Sequence, residues 1–331
     1  MCRWVAREVF MDIEYLLFLQ DIRNASGDLF APFFLWLTDF SVSLWPIILM
    51  YFVYWTCDRN VGKRLIFGHS GALLMNGFLK LVCCVNRPWI RCDEIEPYGD
   101  VKGGATGYSF PSGHSTNVTS IFGGIGFWQR KKHIVITIVS FAIVVLTMFS
   151  RNYLGVHTPQ DVIVGCLAAI VMMIVANFIE SWTDKNIKRD LYVIIGGLLL
   201  CVVLIIFYET KSYPLVYNDA GELLVDPKKM IADSFEGIGA VSAYVICRYF
   251  ERRYFDFEKI LDWKSRFVVA TICSIPLIWW FNHCIDLVSN LLNRNWAKFL
   301  YFFVGITYAM IVVPAIMKKV SGKMLETENN S

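Results

Sequence analysis

The chain has 331 residues, of which 56% are hydrophobic and 18% charged, with a formal net charge of +3. Soluble domains carry about 25% charged residues, so the composition argues against a soluble globular protein. The near balance of charge argues against a nucleic-acid partner.

The first 25 residues show no predicted signal peptide, because Arg, Glu and Asp interrupt every apolar stretch and no small-residue cleavage site follows. The stretch Val9–Ile22 reads as amphipathic and too short to span, so an interfacial helix is expected. Apolar runs then recur at 30–56, 65–86, 114–129, 134–153, 160–182, 191–208, 231–250, 267–287 and 297–317. At about 20 residues per crossing they predict about nine membrane spans. They must be helical, because backbone groups in lipid have to be satisfied within the segment. Ile134–Phe149 and Leu191–Phe207 read as apolar on all sides, which suits lipid contact. The expected fold class is an all-α polytopic membrane helical bundle. It divides into an N-terminal interfacial segment (1–28), a membrane core rich in polar groups (29–183) and additional C-terminal spanning helices (184–331).

Basic residues cluster in alternate connections: Arg59/Lys63/Arg64, Arg130/Lys131/Lys132, Lys185/Lys188/Arg189, Arg248 to Arg266 (with Lys259) and Lys318/Lys319/Lys323. By the positive-inside rule these face the cytoplasm, as does the C-terminus. The N-terminus and the loops 87–113, 151–159, 209–230 and 288–296 then face outward. Arg248–Phe257 mixes basic and aromatic residues, the composition of an interfacial anchor. The cysteines have no metal-ligand spacing and imply no disulfide framework.

Three polar clusters fall at predicted outward helix ends. Lys80 and Arg87 are expected on one helical face with Asn76 and His69, with Pro88 ending the helix. A lysine this deep in an apolar segment is expensive, although alone it also fits a snorkelling side chain. In Pro111-Ser112-Gly113-His114, Ser112 is placed as an N-cap, Gly113 permits close ligand approach, and His114 lies in the first helical turn. The third cluster is Ser150-Arg151 followed by His157 and by Thr158-Pro159-Gln160-Asp161, a capping box with Pro at the first helical position. Asp161 can hold one nitrogen of His157 and leave the other as a nucleophile. Capping alone would explain Asp161, but not His157. Three cations and two imidazoles at one membrane face call for a multiply charged tetrahedral anion, and phosphate fits best.

Lys80-x6-Arg87-Pro88, Pro111-Ser112-Gly113-His114 and Ser150-Arg151-x5-His157-x3-Asp161 together resemble the type 2 phosphatidic acid phosphatase superfamily, over residues 80–161. The resemblance implies His157 as the phosphoryl-accepting nucleophile, Asp161 as its orienting carboxylate and His114 as the acid for the leaving oxygen. It assigns Lys80, Arg87, Ser112, Gly113 and Arg151 to phosphate binding, with no metal and no cofactor. Neutral His157 and protonated His114 predict a bell-shaped pH profile.

Nine helices with an outward N-terminus are similar to the glucose-6-phosphatase branch, while Ala105-Thr106-Gly107-Tyr108-Ser109-Phe110 is similar to bacterial members. The expectation is a phosphatase of a bacterial cell membrane, with its site on the extracytoplasmic side. Its expected substrate is a lipid phosphate or polyprenyl diphosphate, with membrane lipids as its surroundings. Trp89, Arg91, Tyr98 and Lys102 are candidates for head-group contact. Open alternatives are a small soluble ester such as a sugar phosphate, a lipid phosphotransferase, and a non-enzymatic anion-binding protein, which the intact His114, His157 and Asp161 disfavour. For the sugar phosphate, Asp233, Glu236, Asn282, His283, Asp286 and Asn290 are candidate hydroxyl partners, though hydrogen bonding between helices is the favoured reading of them.

Overall fold

The computed structural model describes residues 2–99, 101, 107–218, 220–255 and 262–320, with side chains from Met11 onward. Lys102, Ala105, Thr106, Phe257, Lys259 and Lys323 of the sequence reading lie outside the described residues. The described chain is all-α: α1 Cys2–Ala25, α2 Ala31–Val42, α3 Leu44–Phe52, α4 Arg59–Cys83, α5 Pro88–Arg91, α6 Gly113–Val118, α7 Gly124–Gln129, α8 Ile134–Tyr153, α9 Pro159–Asp184, α10 Asp190–Thr210, α11 Pro227–Tyr254, α12 Trp263–Ser289 and α13 Arg294–Thr307.

Among the described residues, seven helices are long and apolar enough to cross a membrane. The pair Ala31–Val42 and Leu44–Cys57, bent by 49°, makes up to eight if it is one broken span. The remaining predicted span, 114–129, consists of α6, a π-helical turn Thr119–Gly123 and α7, in pieces of 6, 5 and 6 residues. Its buried Ser115, Thr116, Thr119 and Ser120 make it a polar, protein-enclosed segment.

Two compact units are interleaved along the chain. One comprises Met1–Pro46, Met75–Val171 and Thr210–Ile231, the other Ile47–Leu74, Met172–Glu209 and Ala232–Ser331. In the first, α8 packs against α1, α2, α6 and α7. It is not apolar on all sides: Thr137, Ser140, Thr147 and Ser150 lie on its buried face, while Val135, Ile138, Val139 and Val145 face outward. Small polar residues inward and branched apolar residues outward are the pattern expected when lipid replaces water as the surroundings. The C-terminal end of α8 and the residues after it pack Tyr153, Leu154 and Val156 against Ala31, with Phe34, Trp89 and Tyr98 around them. On α1 the buried stripe Asp12, Leu16, Leu19 and Arg23 recurs at helical spacing. Asp12 pairs with Arg91 at 3.0 Å, and Arg23 donates to the Tyr153 and Glu96 carbonyls at 3.1 and 2.6 Å. Arg91, nominated for head-group contact, is therefore held by α1.

In the second unit Arg248 is not an interfacial anchor. It is 1% exposed and bonded to Glu180, Asp190 and Thr183, all buried. Tyr244 adds a 2.7 Å bond to Glu180, and Arg252 and Arg253 each reach Asp190 at 2.9 Å. The guanidinium is drawn inward because two helix ends, the C-terminal end of α9 and the N-terminal end of α10, supply acceptors for its donors. Asp233 and Glu236 are engaged by Lys298 at 3.3 and 2.5 Å, and Asn282, His283, Asp286 and Asn290 are exposed.

Candidate functional site

Helix α9 starts as the sequence predicts. The Thr158 amide donates to Asp161 Oδ2 at 2.9 Å, and the Asp161 amide reaches back to Thr158 Oγ1 at 3.4 Å. This reciprocal cap leaves His157 just outside the helix, 1% exposed, with its carbonyl held by Asn152 at 2.8 Å. Its Nε2 lies 2.8 Å from Arg87 Nη1. A guanidinium can only donate, so Nε2 carries the lone pair and the proton is assigned to Nδ1. Nδ1 faces Asp161 Oδ2 at 3.2 Å. Burial first, then the Arg87 charge, hold the His157 imidazole well below the usual histidine value, with Asp161 opposing them. The ring is therefore neutral at physiological pH.

The cations approach from several elements. Lys80 and Arg87 do not share one continuous helix: α4 ends at Cys83, and Cys84 has a φ of 50°. Arg87 is extended at φ −62°, ψ 153°, and Pro88 opens α5 rather than ending α4. Proline disfavours helical geometry in the residue before it, so the chain leaves the helix before Arg87. The Lys80 ammonium donates to the Tyr108 carbonyl at 2.8 Å. Arg87 donates through Nε to the Gly107 carbonyl at 2.9 Å and through Nη1 to the Val156 carbonyl at 3.1 Å. Arg151 is bonded to Thr38 at 2.6 Å, and its buried Nε meets no acceptor among the described residues. A buried, unmade donor of this kind is costly unless a ligand supplies the acceptor. His114 is within electrostatic reach of Arg151, His157, Arg87 and Lys80.

The Pro111–His114 turn is fixed from two sides. Ser112 caps α6 by accepting from the Ser115 amide at 3.3 Å, and its own amide donates to the Asp161 carbonyl at 2.9 Å. Asn76 donates to Thr116 at 3.0 Å, and Thr116 lies 2.9 Å from the Ser112 carbonyl. A Cβ at Gly113 would meet only Asn76 Oδ1, at 3.7 Å, so there is open space above this backbone. All eight sequence-nominated positions (Lys80, Arg87, Ser112, Gly113, His114, Arg151, His157 and Asp161) fall in one compact unit.

Sequence reasoning missed Ser109 and Thr38. Ser109 Oγ donates to Asp161 Oδ2 at 2.5 Å and lies 3.3 Å from His157 Nδ1. Its position two residues before Pro111 was the only signal. Thr38 carried none, because a threonine in an apolar helix is ordinary. Among the described residues, no group of three or more His, Cys, Asp or Glu side chains is arranged to hold a metal ion.

Residues 62–185 match the protein family described as the PAP2 superfamily. The chain is similar to phosphatidylglycerophosphatase B of Bacillus subtilis, 33% identical over 124 residues that cover 35% of this chain and 58% of that protein. It is also similar to an undecaprenyl-diphosphatase of Sulfolobus acidocaldarius, 29% identical over 123 residues that cover 37% of this chain and 57% of that protein. The chain thus spans less than two thirds of the length of these curated relatives. No solved structure matches it.

Proposed function

Because residues 62–185 make the chain a member of the type 2 phosphatidic acid phosphatase superfamily, we propose that it is a metal-independent membrane phosphatase. Its substrate is a lipid phosphate or polyprenyl diphosphate, cleaved at the extracytoplasmic face through a phosphohistidine on His157. The observation that carries this reading is the His157 ring itself: Nδ1 faces Asp161 while the Nε2 lone pair faces a cation.

In the first step Nε2 attacks the terminal phosphorus, its P–O bond to the leaving group breaks (an ester bond in a lipid phosphate, an anhydride bond in a diphosphate), and His114 protonates the departing oxygen. Arg87 leaves Nε2 to bind a phosphoryl oxygen, and Lys80, Arg151, Ser112 and Gly113 complete the anion site. Asp161 keeps Nδ1 protonated and offsets the charge that develops on the ring. In the second step a water attacks phosphorus, His114 takes its proton, and the N–P bond breaks. The cations stabilise the transferring phosphoryl group electrostatically in both steps. The substrate class rests on the family and on the two relatives' names. It is further supported by a site at the ends of apolar helices, where a lipid can enter sideways.

A phosphate-release panel in detergent or liposomes tests the proposal, with phosphatidate, phosphatidylglycerol phosphate, polyprenyl diphosphate and a sugar phosphate each offered alone. Release from the lipid substrates, its loss in His157→Ala with the protein still folded, and insensitivity to chelators are expected. Normal turnover by His157→Ala would refute the covalent step. For the orientation, Glu222→Cys should be labelled from outside and Lys132→Cys only from the cytoplasm; the reverse pattern would invert the topology.

A further inference from the structure

The segment between α10 and α11, together with the first turn of α11, lies downstream of the family-matched residues 62–185, yet Thr210–Ile231 belongs to the same compact unit as the site. A plain connection between two spanning helices would run through solvent with its polar groups hydrated. This one is tied to the cation-bearing backbone at two places.

The first is the end of α4. The last carbonyls of a helix have no partner within it, and a cation placed there is favourable. Lys211 supplies that cation, donating to the Leu81 carbonyl, to the Val82 carbonyl at 2.9 Å and to Cys84 Sγ at 3.7 Å. This is the turn that separates Lys80 from Arg87. It contains the left-handed Cys84, whose amide bonds the Lys80 carbonyl at 3.0 Å. A non-glycine residue in that region is strained, so it persists where its surroundings hold it.

The second is the Gly107–Tyr108 backbone, whose two carbonyls accept from Arg87 and Lys80. Met230 is buried flush against Gly107: a Cβ at position 107 would lie 2.3 Å from its sulfur. Tyr108 is 1% exposed. Its phenol is pushed up by burial first, then by Cys84, and also by Tyr213 and Asp226 of the segment. The segment holds its own shape through the pairing of Val216 with Leu224 at 2.8 Å and of Asn218 with Glu222 at 2.9 Å.

We infer that Thr210–Ile231 is a positioning element for the phosphate site: Lys211 fixes the break between Lys80 and Arg87, and Met230 braces the carbonyls that aim both cations. This rests on the proposed reading of Lys80 and Arg87 as phosphate ligands. A misplacement of about 1 Å in such a site can cost as much as 100-fold.

The test measures inorganic phosphate and orthovanadate binding to the full-length protein in detergent, together with thermal unfolding. Lys211→Met keeps the chain length and removes the charge; it should weaken both anions about 10-fold at an unchanged unfolding midpoint. Lys211→Arg should restore binding to near wild type, which a purely structural loss would not predict. Met230→Ala, which leaves Lys211 in place, should weaken binding in the same direction, and it decides the matter should Lys211→Met fail to fold. Lys80→Met and Arg151→Met serve as the reference. If they leave anion binding intact, the phosphate site itself is wrong. If they abolish it while Lys211→Met and Met230→Ala bind as wild type, the positioning role is overturned and the phosphate site stands.

Discussion

In the proposed mechanism, Ser109 supports the carboxylate that orients His157. Asp161 Oδ2 already accepts from the Thr158 amide and faces His157 Nδ1, and the Ser109 hydroxyl is a further donor on the same oxygen. A hydrogen bond to a charged group contributes about 1.5–3 kcal/mol. Ser109→Ala should therefore lower kcat about 10- to 100-fold while leaving orthovanadate binding near wild type, as steady-state rates and vanadate inhibition would show. If His157 is the nucleophile as proposed, its ring sets the acid limb of the pH profile. His157 is held well below the ordinary histidine value of about 6.5 by burial and by Arg87. It stays neutral as the pH falls through that value, so kcat/KM should lose activity only at markedly lower pH. Asp161→Asn removes the group that opposes this depression, so the limb should move further toward acid even as the rate drops. A limb that moved toward neutrality would contradict the assigned role of Asp161.

At the scale of elements, the contact that sets the site is the approach of α9 to the Pro111–His114 turn. Gly165 makes it possible: a Cβ there would lie 2.6 Å from the Ser112 carbonyl oxygen and 3.1 Å from Thr116 Oγ1. Alanine is better than glycine in a helix by about 1 kcal/mol, so Gly165→Ala would stabilise α9 if nothing opposed it. We expect the opposite, a lower unfolding midpoint and about 10-fold slower phosphate release, both measurable on one purified sample. The capping box at Thr158–Asp161 and the Ser112 cap were legible in sequence because each is a local pattern whose partners lie within a turn. The shared face of Lys80 and Arg87 was misread for the same reason. Helical spacing carries the count across Cys84, where the chain departs from the helix, and nothing in the residue type announces a left-handed cysteine. Ser109 and Thr38 act through partners 52 and 113 residues away, a distance that no local pattern reports.

At the scale of the whole molecule, hydropathy gave the all-α class and most of the spans, because about 20 apolar residues per crossing is a constraint of the bilayer. It said little about how the chain divides, since the two compact units each draw on both halves of the sequence. It also read Arg248 by its neighbours in sequence, although its burial is decided by acceptors 58 to 68 residues away. That placement makes Arg248 a stability determinant of its unit. Glu180 and Asp190 are 1% and 2% exposed, and both would lose their central partner in Arg248→Met. Breaking a buried ion pair by removing one partner costs about 3–5 kcal/mol, whereas partly exposed pairs contribute about 1 kcal/mol or less. Arg253, with 22% of its side chain exposed, is the matched control. Arg248→Met should lower the unfolding midpoint and the yield of monodisperse protein far more than Arg253→Met. Replacing Glu180 and Asp190 together with Arg248 by apolar residues should recover much of that loss, because the cost lies in the stranded carboxylates rather than in the missing guanidinium.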